Sequence, residues 1–218
     1  MAKAARKHGG LVRTGPSFEI EAFEIARGNG PVAGIDEAGR GPWAGPVVAA
    51  AVVLDAVRIP PGLDDSKTLD AHEREALLAA IEASGAAIGI GIADAAQIDR
   101  VNILRATLWA MSEAVAQLGV APRIALVDGN KVPVLACQAR AIVAGDARSQ
   151  SIAAASIVAK VTRDRLMCEL ARAHPGYGFE RHKGYGTPEH KASLARLGPC
   201  SEHRRSFAPV RESLQQVL

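Results

Sequence analysis

Val47 to Leu54 is an unbroken apolar run of eight residues, Val-Val-Ala-Ala-Ala-Val-Val-Leu, entered from Pro46 and left at Asp55. It is the longest such run in the chain. It is far short of the roughly 20 residues that a membrane helix needs. A run this short and continuous, rich in β-branched residues, reads as a strand buried on both faces. A strand of that kind must lie inside a sheet covered by other layers.

The flanking segments supply those layers. Pro31 to Gly39 reads as a strand, and Gly41-Pro42-Trp43-Ala44-Gly45-Pro46 as a turn, so the first two strands form an antiparallel pair. Asp70-Ala71-His72-Glu73 has the form of a capping box and starts a helix running to about Ala83. Ala87 to Ala93 is a third strand. Asn102 to Leu118 is helical by its stripe of Ile103, Leu104, Leu108, Met111 and Val115. Arg123 to Val127 and Ala139 to Ala144 are short strands. Ser151 to Ala173 is a long helix, Pro175 to Thr187 is glycine-rich and irregular, and Pro188 to Leu197 is a helix with proline in its first turn. Hairpin strands followed by alternating strands and helices imply an α/β fold, a mixed sheet covered by helices. Hydrophobic residues make up 48% of the chain and aromatics only 4%, so the core must be aliphatic. The expected organisation is a flexible basic tail over residues 1–16 and a single domain over 17–218.

Within the first strand sits an acidic pair, Asp36-Glu37, followed by Gly39-Arg40-Gly41. Adjacent carboxylates among apolar residues lose hydration and repel, so a cation is expected between them. A divalent metal is the strongest candidate. Glycines that leave amides open, beside a guanidinium, suit a phosphate. Asp128 closes another apolar strand and Asp146 follows a further apolar stretch, although each alone also suits a turn or a helix cap. Acids from several strand ends can converge at one sheet edge and hold hard cations such as Mg²⁺ or Mn²⁺. The charge is unevenly placed. Residues 1–16 have four basic residues and no acid, residues 17–159 a net of −6, and residues 160–218 a net of +5. Basic ends around an acidic middle fit a polyanionic partner.

The motifs Gly34-Ile35-Asp36-Glu37-Ala38-Gly39-Arg40-Gly41-Pro42, Asp65-Ser66-Lys67, Val127-Asp128-Gly129-Asn130 and Gly145-Asp146 occur in that order. After them come Ala154 to Asp164, His182-Lys183-Gly184-Tyr185-Gly186-Thr187 and His203-Arg204-Arg205-Ser206-Phe207. In this succession the chain resembles the type 2 ribonuclease H (ribonuclease HII) family from about Val32 to Val210. The resemblance implies a ribonuclease H-like fold, a mixed five-stranded sheet flanked by helices with a C-terminal helical segment. It implies that Asp36, Glu37, Asp128 and Asp146 are catalytic metal ligands for Mn²⁺ or Mg²⁺. Gly39, Arg40 and Gly41 would recognise a ribonucleotide and its phosphate, with Tyr185 near the 2′-hydroxyl and Lys67 on a backbone phosphate. The implied substrates are RNA/DNA hybrids and duplex DNA with embedded ribonucleotides. The implied chemistry is hydrolysis 5′ to the ribonucleotide by metal-activated water, giving 3′-hydroxyl and 5′-phosphate ends. Excision of ribonucleotides from genomic DNA is the implied duty.

Other constellations point elsewhere. His174, His182, His190 and His203 match no zinc spacing and read as structural or solvated. Gly89-Ile90-Gly91 reads as strand, not as a dinucleotide loop. Tyr177 reads as a packing residue. Ser156 and Lys160, one turn apart, read as helix packing and as a cation for a phosphate or an acid. Cys137, Cys168 and Cys200 are odd in number and far apart, so reduced thiols and a cytoplasmic setting are expected. No membrane segment and no obligate protein partner is expected.

Overall fold

The computed structural model describes residues 15–215. Up to residue 14, the basic tail expected from sequence lies outside them. In chain order the elements are α1 (Glu19–Ala26), β1 (Val32–Ala38), β2 (Val47–Val53), α2 (Ala71–Ala83), β3 (Ala87–Ala93), α3 (Ala95–Val101) and α4 (Ile103–Ala116). There follow β4 (Ile124–Asp128), β5 (Gln138–Ile142), a 3-10 turn (Gly145–Ala147), α5 (Gln150–Ala173), α6 (Phe179–His182), α7 (Pro188–Leu197) and α8 (Ala208–Gln215). The five strands form one sheet in the order β3-β2-β1-β4-β5. β1 and β2 pair antiparallel, as do β2 and β3, whereas β1 and β4 pair parallel, as do β4 and β5. This is the expected mixed sheet.

The apolar run has the expected cause. Alternate residues of β2 enter different cores. Ala50 and Val52 pack with Leu78 and Ile81 of α2 and with Ala154 to Val158 of α5. Val47, Ala49 and Ala51 pack on the other side with Ala106, Ala110 and Ala114 of α4. β1 lies at the centre, and α5 crosses it so closely that a Cβ on Gly34 would stand 2.1 Å from the Ser151 carbonyl carbon. Only glycine permits that approach. No helix among the described residues is long and apolar enough to cross a membrane.

The capping box forms as read: Asp70 accepts from the Glu73 amide at 2.8 Å, and the Glu73 carboxylate accepts from the Asp70 amide at 3.1 Å. Four helices differ from the sequence expectation, one of them α6, a single turn inside the segment expected to be irregular. α1 buries acids and exposes apolar residues, the reverse of the usual pattern: Glu21 and Glu24 are inside, Phe23 and Ile25 outside. Partners explain it. Glu21 accepts from the Ser149 hydroxyl at 2.6 Å and the Ser151 amide at 2.8 Å, while Glu24 pairs with Arg140 at 2.6 Å. α3 is seven residues long and is divided from α4 by Asn102, whose φ is +69°. α8 lies beyond the last helix read from the sequence.

The C-terminal helices enclose a buried aromatic cluster of Tyr177, Phe179, His182, His190 and His203. Burial, then the neighbouring His190, push the His203 pKa down to about 4. The unfolded chain therefore binds a proton there that the folded chain refuses. Stability from this group is complete above its ordinary value of 6.5 and is lost as pH falls toward 4. We expect His203 to cost on the order of 2 kcal/mol by pH 5. In urea titrations, the stability advantage of the wild type over His203→Gln should shrink between pH 7 and pH 5. A constant gap would show that His203 protonates equally in both states.

Candidate active site

Parallel pairing of β1 with β4 sets the site. The register places Ile35 beside Val127, so the next residues, Asp36 within β1 and Asp128 at the end of β4, lie side by side. After β5 ends at Ile142, Ala144 adopts a left-handed φ of +53° and tips the chain into the 3-10 turn that holds Asp146. The Asp128 carboxylate accepts from the Gly145 amide at 2.7 Å, which ties this turn to β4. Ser149 caps α5 immediately afterward, its hydroxyl accepting from the Ile152 amide at 3.2 Å.

As a result, carboxylate oxygens of Asp36, Asp128 and Asp146 all lie within 4.8 Å of one another. Burial, then the charges of Glu37, Asp128 and Asp146, hold Asp36 well above the usual carboxylate range. Burial likewise raises Asp128, against the opposing Gly145 hydrogen bond. Lys67 is the nearby cation, its Nζ 3.1 Å from Asp146 and 3.4 Å from Asp65. Burial opposes the Lys67 ammonium, but the Asp146 hydrogen bond and the charges of Asp65, Asp146 and Asp36 outweigh it and raise its pKa. One lysine leaves the three-acid group in excess of negative charge. An all-oxygen donor set with that excess fits a hard divalent cation.

Glu37 stands outside this triad, because successive strand residues face opposite sides. Burial raises its pKa and the Arg40 guanidinium, 3.3 Å away, counters the rise. Glu37, Arg40, Asp128, Asn130 and Lys131 line a cleft of about 250 Å³ that opens beside the acids.

The loop after β1 turns at Gly39, where φ is +95°. A Cβ there would meet the Arg163 guanidinium at 1.9 Å. A Cβ on Gly41 would lie 3.8 Å from the Tyr185 ring, so the loop and this half-exposed tyrosine face each other. Tyr177 instead is buried, stacks on Phe179 and donates to the Gly198 carbonyl at 2.6 Å. Lys160 pairs with Asp164 at 2.7 Å, and Ser156 bonds Ser66 at 2.6 Å. Two supports of the site escaped the sequence reading, Arg163 and Arg204. Both are fully buried. Their only sequence signal is a cation inside an otherwise site-like motif.

Residues 33–210 match the family model described as Ribonuclease HII. The ribonuclease HII of Parvibaculum lavamentivorans is 63% identical over 202 residues, which cover 92% of this chain and 74% of that protein. The ribonuclease HII of Azorhizobium caulinodans is 60% identical over 197 residues, covering 90% and 76%. Among solved structures, the ribonuclease H2 of Pyrococcus horikoshii OT3 superposes with a TM-score of 0.72 at 27% identity, covering 85% of this chain and 97% of that one.

Proposed function

The chain belongs to the ribonuclease HII family and is a nuclease of the ribonuclease H type, and from that premise we propose that it cuts the phosphodiester on the 5′ side of a ribonucleotide, in RNA/DNA hybrids or as a single unit embedded in duplex DNA. The observation that supports this most is the convergence of Asp36, Asp128 and Asp146 beside a glycine loop that faces Tyr185. Asp36, Asp128 and Asp146, with Glu37 from the adjoining cleft, would hold the divalent cation, Mg²⁺ or Mn²⁺. When bound, such a cation supplies Lewis acidity for water attack on phosphorus and for the departing oxygen.

The protein's own groups do the rest. The amides of the Gly39–Gly41 loop approach the sugar and phosphate without side-chain obstruction. Arg40 adds a guanidinium for the phosphate. Tyr185 packs near the 2′-hydroxyl, which both donates and accepts and so distinguishes ribose from deoxyribose. Lys67, mostly exposed and above Asp146, is placed to meet a neighbouring phosphate. Attack by water rather than by the 2′-hydroxyl leaves 3′-hydroxyl and 5′-phosphate ends. We assign the enzyme the excision of ribonucleotides from genomic DNA, in a cytoplasm where its three free cysteines stay reduced.

A duplex containing one ribonucleotide, incubated with Mg²⁺ or Mn²⁺, tests the reading. One cut 5′ to the ribonucleotide is expected, with the stated ends and none after chelation. No cut, or an equal cut of an all-DNA duplex, would refute it.

A further inference from the structure

The two parts of the sugar-recognition site, Gly39–Gly41 and Tyr185, are far apart in the chain, and one dipeptide is bonded to the first and linked through His190 to the second. Arg204 is buried and donates only to carbonyls of the loop. Nε reaches Gly45 O at 2.9 Å, Nη1 reaches Arg40 O at 2.9 Å, and Nη2 reaches Gly39 O at 2.6 Å and Gly45 O at 2.8 Å. Phe207 covers the guanidinium, whose carbon is 5.2 Å from the ring centroid. Arg163 supports the same loop, donating to Pro46 O at 2.9 Å and to Ala44 O at 3.3 Å. With those carbonyls turned inward, the Gly39–Gly41 amides point away from the clasp, while the Trp43 and Gly45 amides bond Gly184 O and Glu202 O.

The preceding residue reaches the other part. His203 Nδ1 accepts from the Cys200 amide at 3.1 Å, which leaves the proton of the neutral ring on Nε2. That proton is donated to His190 Nε2 at 3.1 Å, and His190 Nδ1 donates in turn to the Tyr185 carbonyl at 3.0 Å. The chain of bonds requires both rings to be neutral, and burial lowers the pKa of both. Arg204 keeps its charge at neutral pH, since burial and the nearby Arg163 lower it only to about 9. Backbone bonds complete the frame: the Arg204 amide donates to Trp43 O and the Trp43 amide to Gly184 O, each at 2.8 Å.

We propose that His203 and Arg204 are positioning residues that hold Gly39–Gly41 and Tyr185 at a fixed spacing and thereby set the discrimination between ribose and deoxyribose. This rests on the assignment of the loop and Tyr185 to sugar recognition. Neither residue touches the substrate or the acids. A fixed guanidinium holds three carbonyls of one loop, and a directional imidazole pair holds one carbonyl of the other. A gap shaped to one hydroxyl is lost when either wall drifts.

The test measures binding of the full chain, without divalent metal, to two duplexes that differ by one 2′-hydroxyl. Gly41→Ala, which adds a methyl facing the Tyr185 ring, and Tyr185→Ala should each reduce the affinity ratio. Arg204→Lys, which keeps the charge and loses the fork, should reduce it by roughly 10-fold. His203→Leu should do the same, with part restored in His203→Gln, which can still accept and donate. In double-variant cycles, Arg204→Lys should add little to Gly41→Ala, and His203→Leu little to Tyr185→Ala. If Gly41→Ala and Tyr185→Ala leave the ratio unchanged, the recognition reading falls and the proposal with it. If they reduce it while Arg204→Lys and both His203 variants keep it, or while the effects multiply independently, the proposal alone is overturned. Should Arg204→Lys fail to fold, the His203 pair decides the outcome by the same ratio.

Discussion

Asp36→Asn is expected to give a folded protein whose cleavage of a ribonucleotide-containing duplex falls by roughly 10²- to 10⁴-fold. Without one of the carboxylates that would hold the cation, stabilisation of the transition-state charge falls by several kcal/mol, and each 1.36 kcal/mol is tenfold in rate. The asparagine oxygen can still accept from the Glu37 amide, as Asp36 now does at 2.7 Å, so local geometry is preserved. The sign of the stability change separates this from simple damage. Asp36 is buried beside two other carboxylates, and its pKa is held up by burial and by their charges. Neutralising it relieves that repulsion, so the metal-free melting temperature should rise by a few degrees. Asp128→Asn should behave alike in activity, since its amide oxygen can keep the Gly145 bond. Steady-state kinetics and thermal melts in a chelator check both statements. Unchanged turnover in either variant would remove that residue from the site.

Gly34→Ala is expected to be the most damaging single methyl in the sheet. The added Cβ would lie 2.1 Å from Ser151 C, 2.4 Å from Ser151 O and 2.3 Å from Ile152 N, all backbone atoms of α5. No rotamer change can make room, so helix or strand must move. Overpacking of this kind costs roughly 3 kcal/mol or more. For a domain of this size that corresponds to a loss of about 10 °C in melting temperature. Gly119→Ala, where a Cβ meets nothing within 4 Å, is the matched control and should melt like the wild type. Because Asp36 is two residues along the same strand, surviving Gly34→Ala protein should also cleave more slowly. A melting temperature equal to that of the control would contradict the close packing of β1 on α5.

Much of this architecture is legible in local sequence because local physics decides it. The β2 run is continuous because both faces are covered. α2 starts at Asp70 because a capping box needs only four residues, and α7 starts at Thr187 with Pro188 in its first turn. α1 is illegible for the opposite reason. Besides the local Asn29, the partners of its buried acids are Ser149, Ser151 and Arg140, all more than 100 positions away. The candidate acids were readable as residues, but their grouping depended on the pairing of β1 with β4, which no window of sequence contains. Asp146 sits in a 3-10 turn beyond β5 rather than at its last residue. Glu37 stands outside the three-acid group and lines the adjoining cleft with Asp128, an offset that strand alternation in the adjacent pair already contained. The buried arginines ran against the usual expectation that guanidiniums pair with acids. Carbonyls satisfy them instead, and carbonyls have no sequence signature.

The frame around Arg204 also turns chain order into a schedule. A ribosome delivers all four acids, the Gly39–Gly41 loop and Tyr185 before it delivers the guanidinium that donates to Gly39, Arg40 and Gly45. A nascent chain halted before that residue already contains every candidate metal ligand but not the clasp of the Gly39–Gly41 loop. The candidate acids and the clasp are thus completed at different moments of synthesis, with the clasp last.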